Sequence, residues 1–160
     1  MSNTGSWSGR YYEDLNPGDV FKHRPGRTVT ETDNTWFTLL TCNTNPIHFD
    51  SEYAKKTKFG RMLVNSALTL AIVTGLTVSD ISMNGFNLEW DKVVLSNPIF
   101  GGDTLYAETE VLGKRESKSK PEFGIVNVRT RGLNQRGEEV IRFERAILVY
   151  KRASSPNARV

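Results

Sequence analysis

A proton-transfer group stands in the segment Asn43-Thr44-Asn45-Pro46-Ile47-His48-Phe49-Asp50. His48 is one of two histidines in the chain, and an imidazole with an ordinary pKa of about 6.5 can take up and return a proton near neutrality. Beside it are the un-ionised amides of Asn43 and Asn45 and the carboxylate of Asp50. An amide cannot exchange a proton at neutral pH, but it can orient water or hold an oxygen of a ligand. Pro46 pushes Asn45 towards extended geometry, so a helix arriving through Trp36 and Thr41 must break there. A kinked polar loop between apolar runs is where a scaffold presents reactive groups.

Further along, Asn65-Ser66 stands where an apolar run begins. The first N–H groups of a helix have no partner within it, so such a start can hold an oxygen carrying developing negative charge. Arg61, just before it, has the fork geometry to pair with a free carboxylate, or is a surface cation near Lys55, Lys56 and Lys58. His23 follows Lys22 in a polar context and is expected to be exposed. Cys42 reads as a small core residue. Trp36, Phe37 and Trp90 read as packing.

These groups need a scaffold, and 160 residues make one domain. A single cysteine excludes an internal disulfide and a multi-cysteine zinc site, which suits the cytoplasm. The start resembles no signal peptide, and the apolar stretch at 63–78 is too short and too polar to span a bilayer. A net charge of +3 is too small to argue for nucleic acid.

Residues 1–10 are Ser/Gly/Asn-rich and expected to be mobile, 11–151 form the domain, and 152–160 read as a flexible tail. Asn16-Pro17-Gly18-Asp19 marks a turn, and Arg27-Thr-Val-Thr reads as a short strand. Thr32 or Asp33 caps a helix over 33–41, with Trp36, Phe37, Leu39 and Leu40 as its apolar face. Ser51 caps a short helical turn. A helix of about fourteen residues follows within 63–78, apolar on nearly every side and so expected to be buried. Phe86–Leu95, Thr104–Arg115, Phe123–Leu133 and Glu138–Lys151 then alternate as long strands. Long antiparallel strands around one apolar helix make an α+β layout.

Several ordered landmarks carry a resemblance: Thr30…Asp33, Asn45-Pro46-Ile47-His48-Phe49-Asp50, Phe59-Gly60-Arg61, and Pro98…Gly102-Asp103-Thr104-Leu105. In this order the chain resembles the MaoC-like branch of the hotdog-fold hydratases over roughly residues 11–150. The resemblance implies a long helix wrapped by a curved antiparallel sheet, a homodimer or higher homo-oligomer, and hydration or dehydration of acyl thioesters on coenzyme A or acyl carrier protein. It implies no metal or redox cofactor, coenzyme A being part of the substrate. Asn43-Thr-Asn-Pro-Ile-His48 and Leu63-Val-Asn-Ser66, with Val111–Ser117 and Asn134–Gly137, are similar to the mesaconyl-CoA and itaconyl-CoA hydratases. The chain departs from the family pattern twice: Asn43 stands where an aspartate is usual, and Asn65-Ser66 where His-Gly is usual.

Hydrating an α,β-unsaturated thioester needs a base for water, an acid for the α-carbon, and donors for the enolate-like oxygen. On this resemblance His48 transfers the proton, Asn43 positions water or substrate, and the helix start at Asn65-Ser66 holds the thioester oxygen. Arg61 meets a substrate carboxylate. Asp50 supports the loop by bonding backbone amides or His48. The run Lys114–Lys120 decorates a solvated hairpin end or meets coenzyme A phosphates. Two other readings stay open: a catalytically inactive acyl-thioester-binding subunit of a hetero-oligomeric dehydratase, marked by Asn43, and an acyl-CoA thioesterase, disfavoured because 63–78 carries no carboxylate.

Overall fold

The computed structural model describes residues 9–159. A 3-10 turn at Tyr12–Asp14 leads into strand β1 (Val20–Thr28), helix α1 (Glu31–Leu40), the short helix α2 (Ser51–Lys55) and helix α3 (Ser66–Leu76). Four long strands follow: β2 (Gly85–Leu95), β3 (Thr104–Glu116), β4 (Phe123–Leu133) and β5 (Glu139–Tyr150). They form one antiparallel sheet in the order β1-β3-β4-β5-β2, with α3 packed against β1, β3 and β4. This is the α+β hotdog arrangement.

Alternation along the strands builds the core, because successive side chains point to opposite faces. Leu105, Ala107 and Val111 of β3, Val126 and Val128 of β4, and Ile141, Phe143 and Ile147 of β5 are all buried. On the other face, ion pairs run across neighbouring strands, including Lys22–Glu108, Arg131–Glu139 and Arg129–Glu144. Helix α3 approaches the sheet closely where Gly132 leaves room. A Cβ there would stand 2.7 Å from side-chain carbons of Val73 and Ile141, so a larger residue would force those side chains to shift.

Several elements depart from the sequence reading. Strand β1 spans Val20–Thr28, not 27–30, and carries a register shift between His23 and Arg27 around Pro25. Helix α1 starts earlier than 33–41 because Thr30, neither Thr32 nor Asp33, is the cap. Thr30 Oγ1 accepts from Asp33 N at 3.0 Å, and Asp33 Oδ2 accepts from Thr30 N at 2.8 Å. Of the apolar face drawn for α1, only Phe37 packs against the core. Trp36 and Leu40 are 72% and 78% exposed and Leu39 is also exposed, while the polar Asn34 and Thr38 are buried. Trp90 is exposed too, on β2.

Helix α3 has eleven residues rather than about fourteen, and it is not buried all round. Leu68, Thr69 and Val73 face the core, whereas Ser66, Ala67, Ala71 and Gly75 are exposed. The sheet covers one side only, and small residues line the open one. Cys42 is exposed with φ +58°, a left-handed turn position rather than a core site. Segment 152–157, expected to fray, carries 3-10 turns and is tied to the first turn by Arg152, which bonds both Asp14 carboxylate oxygens at 2.6 and 2.7 Å. Of the Ser/Gly/Asn-rich start, residues 1–8 lie outside the described residues.

His23 is fully buried, not exposed. Its Nδ1 lies 2.8 Å from Asp80 Oδ2 and its Nε2 2.9 Å from Thr109 Oγ1, which in turn lies 3.0 Å from Thr130 Oγ1. Arg145 points inwards from β5 and joins the C-terminal end of α3 to the edge strand. It donates to Thr77 Oγ1 at 2.9 Å and to Asn87 Oδ1 at 3.1 Å, and burial pushes its pKa down to about 10, so it stays charged.

Burial holds the His23 imidazole below its ordinary pKa and outweighs the Asp80 carboxylate, which favours the charged form. Unfolding therefore releases a better proton acceptor. Stability should be full above about pH 6.5 and fall as the pH drops below it towards the depressed folded value. Denaturant titrations at pH 7.5 and 5.5 should show this loss, and His23→Gln should flatten it.

Candidate active site

The loop after α1 is shaped by its amides and Pro46. Asn45 has ψ 112°, the extended value a following proline imposes, and Pro46–His48 make one 3-10 turn. Asn43 Oδ1 accepts from Asn45 N at 2.9 Å, and Asn45 Oδ1 from Ile47 N at 3.2 Å. The Asn43 carbonyl oxygen is thus spent on the turn, while its NH2 keeps two donors. Asp50 caps α2, the role sequence reasoning gave to Ser51: its Oδ1 accepts from Tyr53 N at 3.0 Å. No hydrogen bond joins Asp50 to His48 among the described residues.

His48 is buried, and its Nδ1 lies 2.7 Å from Leu63 O. A carbonyl oxygen only accepts, so Nδ1 carries the proton and Nε2 keeps a lone pair. Nε2 has no hydrogen-bond partner among the described residues. The tethering carbonyl lies three residues before Ser66. Leu63 N in turn donates to Ile47 O at 3.1 Å, so the histidine turn and the approach to α3 run side by side.

Asn34, a buried residue of α1 that sequence reasoning missed, binds these segments together. Its Nδ2 donates to His48 O at 2.8 Å and to Leu63 O at 3.0 Å, and its Oδ1 accepts from Asn65 N at 2.8 Å. Thr38, one turn later and also missed, is fully buried and receives Asn65 Nδ2 at 3.3 Å. The signal was there, since Asn34 and Thr38 are polar residues four apart and so share a helix face. Trp36, Leu39 and Leu40 drew attention to the opposite side.

Asn65 caps α3 through Oδ1, which accepts from Ala67 N at 2.9 Å. With Nδ2 on Thr38, its carboxamide is committed to holding the helix start. Ser66, the first helical residue, is exposed, and the N–H groups of Ser66 and Leu68 have no acceptor within the helix. Ser66 opens on a cavity of about 300 Å³ whose walls include Lys58, Phe59, Leu63, Val64, Thr69, Leu95 and Pro98. Arg61 is not among its lining residues. Its guanidinium carbon stacks 3.8 Å above the Phe100 ring instead. The structure therefore ties His48 to Leu63, three residues before Ser66, keeps Asn65 as the frame of the helix start, and leaves Arg61 and Asp50 to other contacts; His48 and Asn43, like Arg61, are not among the residues lining the cavity. Among the described residues no group of three or more His, Cys, Asp or Glu side chains is arranged to hold a metal ion.

A strand-wrapped helix whose start faces a cavity, with a tautomer-fixed histidine tethered just before it, defines a class that comparison with known proteins identifies. Residues 14–132 match the MaoC like domain, and the chain belongs to that family. It is 35% identical over 152 residues to the mesaconyl-CoA hydratase of Cereibacter sphaeroides, covering 94% of this chain and 44% of that protein. The crystal structure of a MaoC domain protein dehydratase from Chloroflexus aurantiacus superposes with TM-score 0.87 at 31% identity, covering 94% of this chain and 43% of the other. A MaoC-like dehydratase from Rhodospirillum rubrum superposes with TM-score 0.78 at 31% identity, covering 89% of this chain and 98% of that one. The chain thus spans less than half the length of the mesaconyl-CoA hydratase it matches and nearly all of a shorter family member. No helix among the described residues is long and apolar enough to cross a membrane.

Replacing Asn34 with alanine would leave the buried Asn65 N–H without its acceptor. The expected cost is about 1–3 kcal/mol of stability. Faster hydrogen exchange at Asn65 should accompany it, while amides in the β3–β4 ladder keep their protection.

Proposed function

We propose that this chain adds water to, or removes it from, a small 2-enoyl-CoA, with a range that includes branched five-carbon dicarboxylyl thioesters such as mesaconyl- or itaconyl-CoA. The observation that carries the reading is the fixed tautomer of His48, whose Nε2 lone pair is free to act as a base. Nε2 takes a proton from water as the water oxygen bonds to the β-carbon. The π electrons move towards the thioester oxygen, which the N–H of Ser66 at the start of α3 stabilises. The imidazolium then returns its proton to the α-carbon, so the balance closes with no metal or redox cofactor. Asn43 contributes NH2 donors that hold the water or a substrate oxygen, and takes no proton itself.

A second copy of the chain completes this reading. The sheet has two free edges, and they differ. Strand β1 is blunted by Pro25 and its register shift, devices that prevent pairing. Strand β2 presents Phe86, Leu88, Trp90, Val93, Val94 and Leu95, all exposed. A long apolar edge of this kind needs cover, and we assign it to a symmetric partner strand in a cytoplasmic homodimer. Leu95 also lines the cavity beside Ser66, so the pairing edge borders the site.

The alternative with a specific observation behind it is an inactive acyl-thioester-binding subunit, because Asn43 cannot act as a base. Hydrolysis is less well supported, as Ser66–Leu76 contains no carboxylate.

Mesaconyl-, itaconyl- and crotonyl-CoA incubated with the purified chain separate these readings when enoyl absorbance and free thiol are followed together. Loss of absorbance without thiol is expected; thiol release would indicate a thioesterase, and binding without turnover an inactive subunit. His48→Ala should lower turnover by about 10²–10⁴-fold while the circular dichroism stays unchanged. Leu88→Arg, on the free edge, should shift the mass seen by light scattering from dimer to monomer; an unchanged dimer would place the interface elsewhere.

A further inference from the structure

The cavity beside Ser66 has one charged residue in its lining, Lys58, and no carboxylate. The other walls mix apolar side chains, from Leu63, Val64, Leu95, Pro98 and Ile99, with the polar Ser66, Thr69, Ser96 and Asn97. Lys58 makes no ion pair among the described residues, in contrast to Lys55, which pairs with Glu52. Its Nζ rests 5.1 Å from the ring centroid of Phe59, another lining residue, so a cation–π contact steadies the ammonium at the wall. Phe59 meets Phe100 edge-on at 6.3 Å, and Arg61 stacks on Phe100. The aromatic pair therefore stands between the two cations, with Lys58 on the cavity.

Deepening the hydratase reading, on which it rests, we propose that Lys58 reads the free carboxylate of a dicarboxylyl thioester and so sets the acyl-chain preference. In mesaconyl-CoA that carboxylate is attached to the β-carbon, two carbon atoms from the thioester carbonyl. With the thioester oxygen at the Ser66 N–H, the carboxylate enters the cavity that Lys58 lines. Asn43 adds to the effect by leaving no negative charge on the histidine loop at that position, where an aspartate would repel a dianionic acyl group. Pairing the carboxylate with an ammonium also reduces its electron release to the β-carbon, which favours attack by water there. The effect of Lys58 should thus appear in kcat as well as KM, and only for substrates carrying the second carboxylate.

The test compares Lys58→Met and Lys58→Arg with the unaltered chain on mesaconyl-CoA, crotonyl-CoA and the corresponding pantetheine thioesters. Lys58 is exposed, so circular dichroism should be unchanged in both variants. The proposal expects kcat/KM of Lys58→Met to fall roughly ten- to hundredfold on both mesaconyl thioesters. Crotonyl thioesters should be nearly unaffected, and Lys58→Arg should recover part of the loss. An equal fall on mesaconyl- and crotonyl-CoA that disappears with the pantetheine thioesters would overturn it, because Lys58 would then be meeting coenzyme A phosphates. Unchanged kinetics on all four would overturn it too. Should the unaltered chain hydrate none of them, the hydratase reading itself falls, an outcome distinct from a variant that fails to discriminate.

Discussion

The site depends on one carboxamide. Asn34 donates to two backbone carbonyls and accepts from one backbone N–H, and the three groups belong to the histidine turn, the stretch before α3 and the start of α3 itself. These are the segments whose relative placement decides whether an imidazole and a helix start can act on the same molecule. A made hydrogen bond adds only about 0.5–1.5 kcal/mol net, whereas a buried group left unpaired costs about 1–3 kcal/mol. The carboxamide therefore matters less for what its bonds contribute than for the penalty attached to every arrangement that breaks them. Leu63 O shows the economy of the design: it accepts from Asn34 and also fixes the tautomer of His48.

The scaffold serves the same end by other means. Gly132 lets Val73 sit down onto the sheet, which sets the depth of α3. At the far end of that helix Arg145 joins Thr77 to Asn87 on β2, so the helix is held at both ends by polar contacts and in the middle by packing. A guanidinium suits this place because it stays ionised even when burial lowers its pKa to about 10. Helix position, edge-strand geometry and the cavity under Ser66 are then parts of one packed unit.

Much of this was legible in the residues. The last four strands could be bounded almost to the residue because stretches of period two, as at Tyr106–Val111 and Ile125–Thr130, mark them and turn residues separate them. Pro46 and the two asparagines before it announced the loop. What could not be read depended on partners far along the chain. His23 looked exposed beside Lys22, but its partners Asp80 and Thr109 lie 57 and 86 positions away. Helix α1 was turned the wrong way because Trp36, Leu39 and Leu40 were assumed to seek this chain's own core, while the buried side is polar and serves the site. Lys58 looked like one of several lysines until the cavity showed which of them it lines, and Arg61, better suited by chemistry, is stacked on Phe100.

The uncovered strand β2 has a bearing on how such a protein is handled and made. Eleven residues of backbone with six apolar side chains in the open form an adhesive surface, and any extended polypeptide could add to it. If a twin chain is what normally hides it, crowding would protect the molecule and scarcity would endanger it. Dilution would raise the fraction of copies whose edge is bare, so a sparse population would be the more readily captured by surfaces and by other extended chains.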